Sequence, residues 1–118
     1  MTALLVALGA ALGAASRHLV MTSLRARGAT PAGGVLAVNA TGSLMLGLVA
    51  GHASGGSSGW LLPLAGIGFC GAFTTFATHA VEVASAARSG RPRHAVADVV
   101  LNLALGLALV SLGWWLAS

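Results

Sequence analysis

One stretch of the chain has residue types suited to holding an ion without a charged side chain. Glycines, paired threonines and phenylalanines follow one another there, in the order Gly68-Phe69-Cys70-Gly71-Ala72-Phe73-Thr74-Thr75-Phe76. A helix broken inside a membrane frees carbonyls, which favour cations, and amides, which favour anions. The positive edge of a phenylalanine ring can also face an anion. The stretch therefore predicts an ion site, although Phe73 and Phe76, taken alone, are more typical of core packing.

Two polar stripes accompany this stretch. Asn39 and Ser43 are four residues apart, so they share one helix face with Gly47. The second stripe has the same spacing and consists of His94, Asp98, Asn102 and Gly106. Polar groups at membrane depth are costly and face protein or water rather than lipid. Asn39 and Asn102 are therefore candidates for an ion path, and bonding between neighbouring helices is the structural alternative for each.

The elements that must position these residues are membrane-spanning helices. Of the 118 residues, 57% are hydrophobic and 7% are charged, whereas roughly a quarter of a soluble domain is charged. A crossing needs about 20 apolar residues, so residues 1–118 form one domain with room for four spans. The expected spans cover about 3–24, 33–51, 60–87 and 95–115, and the third is broken near mid-membrane. The predicted fold class is an all-α integral membrane protein.

Catalysis has little support in this sequence. The acidic residues are Glu82 and Asp98 alone, and the four histidines show no metal-ligand spacing. Cys70 is the only cysteine, so no internal disulfide is possible. Arg17 lies within the first span, from which its long side chain can reach toward the interface. The chain is not expected to be an enzyme.

The arginines lie toward one side of the predicted bundle. Arg25 and Arg27 follow the first span, and Arg88, Arg91 and Arg93 separate the third from the fourth. In a four-span chain these two loops share one face, and the opposite face has no lysine or arginine. The positive-inside rule places both arginine loops in the cytoplasm and both termini outside. The expected location is the cell (inner) membrane, which the chain crosses several times.

Three motifs follow one another in a fixed order along nearly the whole chain. They are Gly9-Ala10-Ala11-Leu12-Gly13-Ala14-Ala15-Ser16-Arg17, then Val38-Asn39-Ala40-Thr41-Gly42-Ser43-Leu44-Met45-Leu46-Gly47, and then the stretch from Gly68 to Phe76. Glu82 falls where a glutamate usually follows the third motif, and Asn102 and Gly106 match the fourth helix more weakly. In this order and spacing the motifs resemble the Fluc (CrcB-type) family of fluoride channels.

The resemblance implies a fold, an activity and a set of roles. The family forms antiparallel dimers of four-helix subunits around two narrow pores, through which fluoride leaves the cell passively. The resemblance implies that Gly71 and Thr74 carbonyls hold a structural Na⁺ at the dimer interface, and that Arg17 and Glu82 lie nearer the vestibules. The candidate pore residues are Asn39, Ser43, Phe73, Phe76, Thr78, His79 and Asn102. Among them, Asn39 would donate hydrogen bonds to the anion and Phe76 would present its ring edge.

The chain departs from the family pattern in two ways. The family usually reads Thr-Thr-Phe-Ser-Thr-Phe where this chain reads Thr74-Thr75-Phe76-Ala77-Thr78-His79, so His79 replaces the second phenylalanine. The arginine bias is the other departure, because a subunit of an antiparallel homodimer must insert in both orientations. Together they favour one half of a heterodimer with an inverted paralogue.

Two other functions compete with the channel hypothesis. Small multidrug transporters are also four-helix chains, but they need a carboxylate in the first helix, where this chain carries Arg17 and no acidic residue. A non-conducting assembly subunit would explain the altered aromatic positions. Fluoride flux separates this last function from a channel.

Overall fold

The computed structural model describes residues 1–56 and 59–118, and every regular element within those ranges is helical. Residues 57 and 58, in the loop between the second and third spans, lie outside the described part. The elements in chain order are α1 (Thr2–Ala26), α2 (Pro31–Ser54), a π-helical segment (Leu62–Cys70), α3 (Gly71–Phe73), α4 (Phe76–Arg88) and α5 (Pro92–Ala117).

Four helical stretches of the described chain are long and apolar enough to cross a membrane. They are Thr2–Ala26, Pro31–Ser54, Leu62–Arg88 and Pro92–Ala117, with mean hydropathies between 1.3 and 2.1. The shortest has 24 residues, which extend about 36 Å and exceed the ~30 Å hydrocarbon core of a bilayer. The predicted class, an all-α membrane protein with four spans, is confirmed.

Local signals set the ends of the helices on the arginine-rich side. Thr30 caps α2 by accepting a hydrogen bond from the Gly33 amide, and Pro31 follows at the first helical position. Gly28 and Gly90, in the turns before α2 and α5, have φ angles of 86° and 73°. Only glycine adopts such angles at no steric cost, so these turns reverse the chain within a few residues.

The spans pack mainly in two pairs, α1 with the π-helical segment and α2 with α5. Glycines make both contacts close. A Cβ atom on Gly9 or Gly13 would overlap the backbone of the π-helical segment, and one on Gly47 would overlap the Val110 carbonyl of α5. Small residues allow helix backbones to approach where no hydrophobic force drives them together. The close packing at the two GxxxG pairs, Gly9/Gly13 and Gly47/Gly51, follows from the absence of side chains at these positions.

The third span differs from a simple broken helix. Its first part, Leu62–Cys70, is π-helical, whereas the sequence predicted only an interruption by glycines. Gly68 lies in this segment, and a Cβ atom there would come within 2.6 Å of the Val6 carbonyl oxygen. The break follows at Thr74 and Thr75, whose ψ angles are 160° and 114°. The predicted break in the third span is therefore confirmed, at the paired threonines.

Candidate ion site at the helix break

Thr75 begins the second half of the third span. Its hydroxyl accepts a hydrogen bond from the Thr78 amide at 3.3 Å and donates to the Thr78 hydroxyl at 3.0 Å. Threonine is a favoured residue at this position because its oxygen pairs with an amide that the helix leaves unpaired. Thr75 is only 7% exposed. It is not among the site residues that the sequence predicted, and its place at the start of a half-helix is the signal that identifies it.

Asn39 on α2 closes the break. Its Oδ1 accepts a hydrogen bond from the Thr75 amide at 2.8 Å, and its Nδ2 lies 3.4 Å from the Thr75 carbonyl oxygen. In a continuous helix the Thr75 amide would pair with the Gly71 carbonyl, four residues earlier. The Asn39 side chain therefore replaces a helical partner and satisfies backbone groups that a membrane would otherwise leave unpaired.

Asn102 on α5 extends this network. Its Oδ1 accepts a hydrogen bond from Asn39 Nδ2 at 3.1 Å, and its own Nδ2 donates to the Asp98 carbonyl at 3.3 Å. The two asparagines thus join α2 to α5. Bonding between neighbouring helices was the structural alternative that the sequence left open for both residues. Each also lines a groove, so the interhelical bond does not remove them from an ion path.

The groove has a volume of about 950 Å³ and runs along the break between α2, α4 and α5. Most of its lining is apolar, contributed by side chains such as Leu46, Ile67 and Leu103. The structure brings to this groove a majority of the predicted site residues, namely Asn39, Ser43, Gly71, Thr74, Phe76, His79 and Asn102. A few polar groups in an apolar cleft are typical of a small-ligand site.

The two predicted pore phenylalanines lie in different surroundings. Phe76 is 83% exposed and borders the groove. Phe73 is 4% exposed and stacks on Phe69, with ring centroids 5.6 Å apart. The break separates them, because the chain turns at Thr74 and Thr75 between the two rings. Phe73 therefore belongs to the core of this subunit and does not line the groove. Core packing was the alternative that the sequence left open for this residue.

Arg17 contacts the break from the other side. Its Nη1 lies 3.3 Å from the Thr74 carbonyl oxygen, a hydrogen bond between residues 57 positions apart. A smaller cavity of about 270 Å³ beside it is lined by Ala14, Arg17, His18, Met21, Thr22, Arg25 and Thr78. Glu82, on α4, lines neither of these two cavities. The sequence predicted that Arg17 reaches toward the interface and did not predict its bond to Thr74.

The carbonyls proposed for Na⁺ are only partly suited to it. The Thr75 amide, which would pair with the Gly71 carbonyl in a continuous helix, is bonded to Asn39 instead, and Gly71 has open space around it. The Thr74 carbonyl already accepts the Arg17 guanidinium, and a second cation there would be repelled by it. The Gly71 carbonyl is therefore left without the amide that a continuous helix would give it, and the Thr74 carbonyl could hold a cation only by sharing its oxygen with Arg17.

These features define a polytopic helical membrane protein with a candidate ion site at a broken span. The matching family is described as CrcB-like protein, Camphor Resistance (CrcB), and the match covers residues 4–114. The chain belongs to the CrcB family, and its resemblance to the Fluc channels is thereby confirmed.

Curated relatives match over nearly the full length of the chain. Fluoride-specific ion channel FluC 2 of Rhodococcus jostii is 42% identical over 118 residues, covering 100% of both chains. Symbiobacterium thermophilum has two relatives. Fluoride-specific ion channel FluC 1 is 39% identical and the match covers 97% of this chain and 98% of the relative. Its Fluoride-specific ion channel FluC 2 is 40% identical, and the match covers 95% of this chain and 94% of the relative. The family consists of ion channels and not enzymes, which confirms the prediction that the chain is not an enzyme.

Proposed function

We propose that this chain is a subunit of a fluoride-selective channel that lets fluoride leave the cell passively. The observation that carries the proposal is the apolar groove at the helix break, where Asn39 and Ser43 supply hydrogen-bond donors and Asn102 bonds to Asn39. The names of the relatives, fluoride-specific ion channels, support the choice of anion. Fluoride is small and strongly hydrated, so a path for it must replace water with donors at close spacing.

Two groups in the groove are suited to an anion because the protein holds them weakly. One is the Asn39 N–H directed at the Thr75 carbonyl, whose 3.4 Å separation is near the limit of a hydrogen bond. The other is the Phe76 ring, which the subunit leaves exposed with its positive edge available. Ser43 and His79 line the same groove and add a hydroxyl and an imidazole. Arg17, beside the break and in the smaller cavity, attracts anions toward it.

The proposal includes a structural Na⁺ that the carbonyls of Gly71 and Thr74 hold. Two carbonyls are too few to replace the hydration shell of the ion, so the remaining oxygens must come from a second subunit. When bound, the ion supplies positive charge at the junction of the subunits. Replacing Na⁺ by a large organic cation on both sides of the membrane is expected to lower fluoride flux. Flux that is unchanged after exhaustive removal of Na⁺ would exclude this part of the proposal.

The proposed assembly is an antiparallel dimer, and the partner is an inverted paralogue. The arginines at the α1–α2 and α4–α5 turns favour one orientation, with the termini outside the inner membrane. Symbiobacterium thermophilum has two relatives of this chain, FluC 1 and FluC 2, so one organism can carry two paralogues of the family. His79 and Ala77, at the positions of a family phenylalanine and serine, are compatible with a dimer that has one efficient pore.

Fluoride efflux from liposomes, measured with a fluoride electrode, tests the proposal. The chain alone and the chain with an inverted paralogue are reconstituted at equal protein density, and chloride efflux is recorded in parallel. We expect flux only with the partner, and selective for fluoride. Rapid efflux from the chain alone would keep the channel and refute the heterodimer. Absence of flux in both cases would refute the channel and favour a non-conducting assembly subunit.

A further inference from the structure

We propose that Asn102 is a positioning residue that sets which N–H of Asn39 is turned toward the groove. Asn39 Nδ2 has two hydrogens, one directed at Asn102 Oδ1 at 3.1 Å and one at the Thr75 carbonyl at 3.4 Å. The first bond is the shorter of the two. By holding that hydrogen, Asn102 leaves the weakly bound one for a ligand in the groove.

The direction of every bond in the network is fixed by the backbone at its two ends. The Thr75 amide can only donate, so Asn39 must turn its Oδ1 toward it. The Asp98 carbonyl can only accept, so Asn102 must turn its Nδ2 toward α5 and its Oδ1 toward Asn39. The order Thr75 to Asn39 to Asn102 to Asp98 is thus self-consistent, and reversing the Asn102 amide would break two bonds while reversing the Asn39 amide would break three.

Asn102 also ties α5 to the break. Its bond to Asn39 joins residues 63 positions apart, and its bond to the Asp98 carbonyl holds its side chain against its own helix. The side chain is therefore restrained at both ends of its amide. Removing it frees one Asn39 N–H, and the Asn39 amide can then rotate away from the Thr75 backbone that it satisfies.

Three variants separate positioning from general packing. Asn102→Leu removes both bonds. Asn102→Asp, when protonated, restores both, because its carbonyl accepts from Asn39 and its O–H donates to the Asp98 carbonyl. When ionised, it loses the donor and places a negative charge in the groove. Ser111→Ala is the matched control, since Ser111 is an exposed polar residue of α5 that does not line the groove.

The first measurement is fluoride flux through the assembled channel between about pH 5 and about pH 8, where carboxyls in apolar surroundings titrate. Protein-free vesicles at each pH correct for hydrogen fluoride that crosses lipid unaided. We expect Asn102→Leu to lose about tenfold or more in flux at every pH, because an orienting hydrogen bond is lost. We expect Asn102→Asp to gain flux as the pH falls, beyond any change in the parent. A parent-like pH profile in Asn102→Asp, or parent-like flux in Asn102→Leu, would overturn the proposal.

The second measurement does not depend on transport. Hydrogen–deuterium exchange of the segment 71–79 in detergent reports the protection of the Thr75 amide. We expect exchange to be several-fold faster in Asn102→Leu and unchanged in Ser111→Ala. This inference rests on the proposed function only in the flux measurement. If the parent protein conducts no fluoride, that result counts against the channel, and the exchange measurement still decides the role of Asn102. Equal exchange in parent and Asn102→Leu would refute the positioning role.

Discussion

At the scale of single residues, the break is held by side chains that come from three spans. Asn39, Arg17 and Asn102 reach it or its immediate neighbourhood from α2, α1 and α5. Arg17 and Asn39 supply partners for a carbonyl and an amide of the interrupted helix, and Asn102 bonds to Asn39. In the proposed function, the residues that support the break are also those that contact the anion.

The two phenylalanines that flank the break give a prediction at this scale. Phe76→Ile removes an exposed ring and is expected to lower fluoride flux about two- to tenfold, since an aromatic edge contact contributes about 0.5–1.5 kcal/mol. Its free energy of unfolding should change by less than about 1 kcal/mol.

Phe73→Ile is the matched control, because Phe73 is buried against Phe69. It should lower the free energy of unfolding by about 1–3 kcal/mol. Flux assays and denaturant unfolding in detergent check both variants. The assignment of the two rings is wrong if Phe73→Ile impairs flux with no loss of stability and Phe76→Ile does the reverse.

A prediction for His79 follows from its place in the groove. An imidazole has nitrogens that can hydrogen-bond water, whereas a phenylalanine at the same place offers only a ring edge. His79→Phe restores the family pattern and is expected to raise fluoride flux several-fold at unchanged protein density. Ala77→Ser, which restores the neighbouring family residue, serves as the comparison. Flux that falls in His79→Phe would show that the imidazole itself assists conduction.

At the scale of elements, glycines decide how closely the spans pair. Gly47 and Gly34 both lie in α2 and are both buried, but they differ in the space around them. A Cβ atom on Gly47 would overlap the Val110 carbonyl, whereas the nearest atom to one on Gly34 is Met21 Cε at 3.9 Å. The α2–α5 contact that Gly47 permits also carries the bond between Asn39 and Asn102.

These two glycines form a matched pair for mutagenesis. Gly47→Ala is expected to push α5 away and lower the free energy of unfolding by about 1–3 kcal/mol, because neither backbone can yield. Gly34→Ala should stabilise by about 0.5–1 kcal/mol, since alanine favours the helix and its methyl group meets only ordinary contacts. Denaturant unfolding in one detergent compares the two. Equal effects would mean that close α2–α5 packing does not stabilise the fold.

At the scale of the whole molecule, one chain buries few of its apolar side chains. The buried hydrophobic residues of the described chain are Val35, Val38, Cys70, Phe73 and Ala95, whereas large apolar side chains are exposed along all four spans. Lipid or a second subunit must cover that surface. The charged residues are few, and most of them lie at one end of the bundle.

Orientation gives the prediction that belongs to this scale. Single cysteines are introduced by Ser89→Cys, at the arginine-rich end, and Ser54→Cys, at the opposite end, in a Cys70→Ala background. A membrane-impermeant thiol reagent added outside intact cells should label the cysteine at position 54 and spare the one at position 89. Equal labelling of both from outside would show insertion in both orientations and remove the reason for an inverted partner.

The sequence alone determined the solvent, the number of spans and the position of the break. Scarcity of charge leaves only the membrane as surroundings, a span has a fixed minimum length, and glycines beside paired threonines weaken a helix wherever they occur. These are local properties, readable from a window of residues. The motifs also named most of the polar residues of the groove, because their resemblance to a family carries spatial information that composition lacks.

The tertiary structure decided what local patterns could not. The π-helical geometry of Leu62–Cys70 arises beside the close approach of α1, and a hydropathy pattern does not distinguish it from an α-helix. The separation of Phe73 from Phe76 depends on the backbone angles at the break between them. The bonds of Asn39 to Asn102 and of Arg17 to the Thr74 carbonyl join residues 63 and 57 positions apart. Helix packing determines which groups become hydrogen-bond partners over such distances in the chain. The sequence alone shows only that each polar group inside the membrane needs a partner.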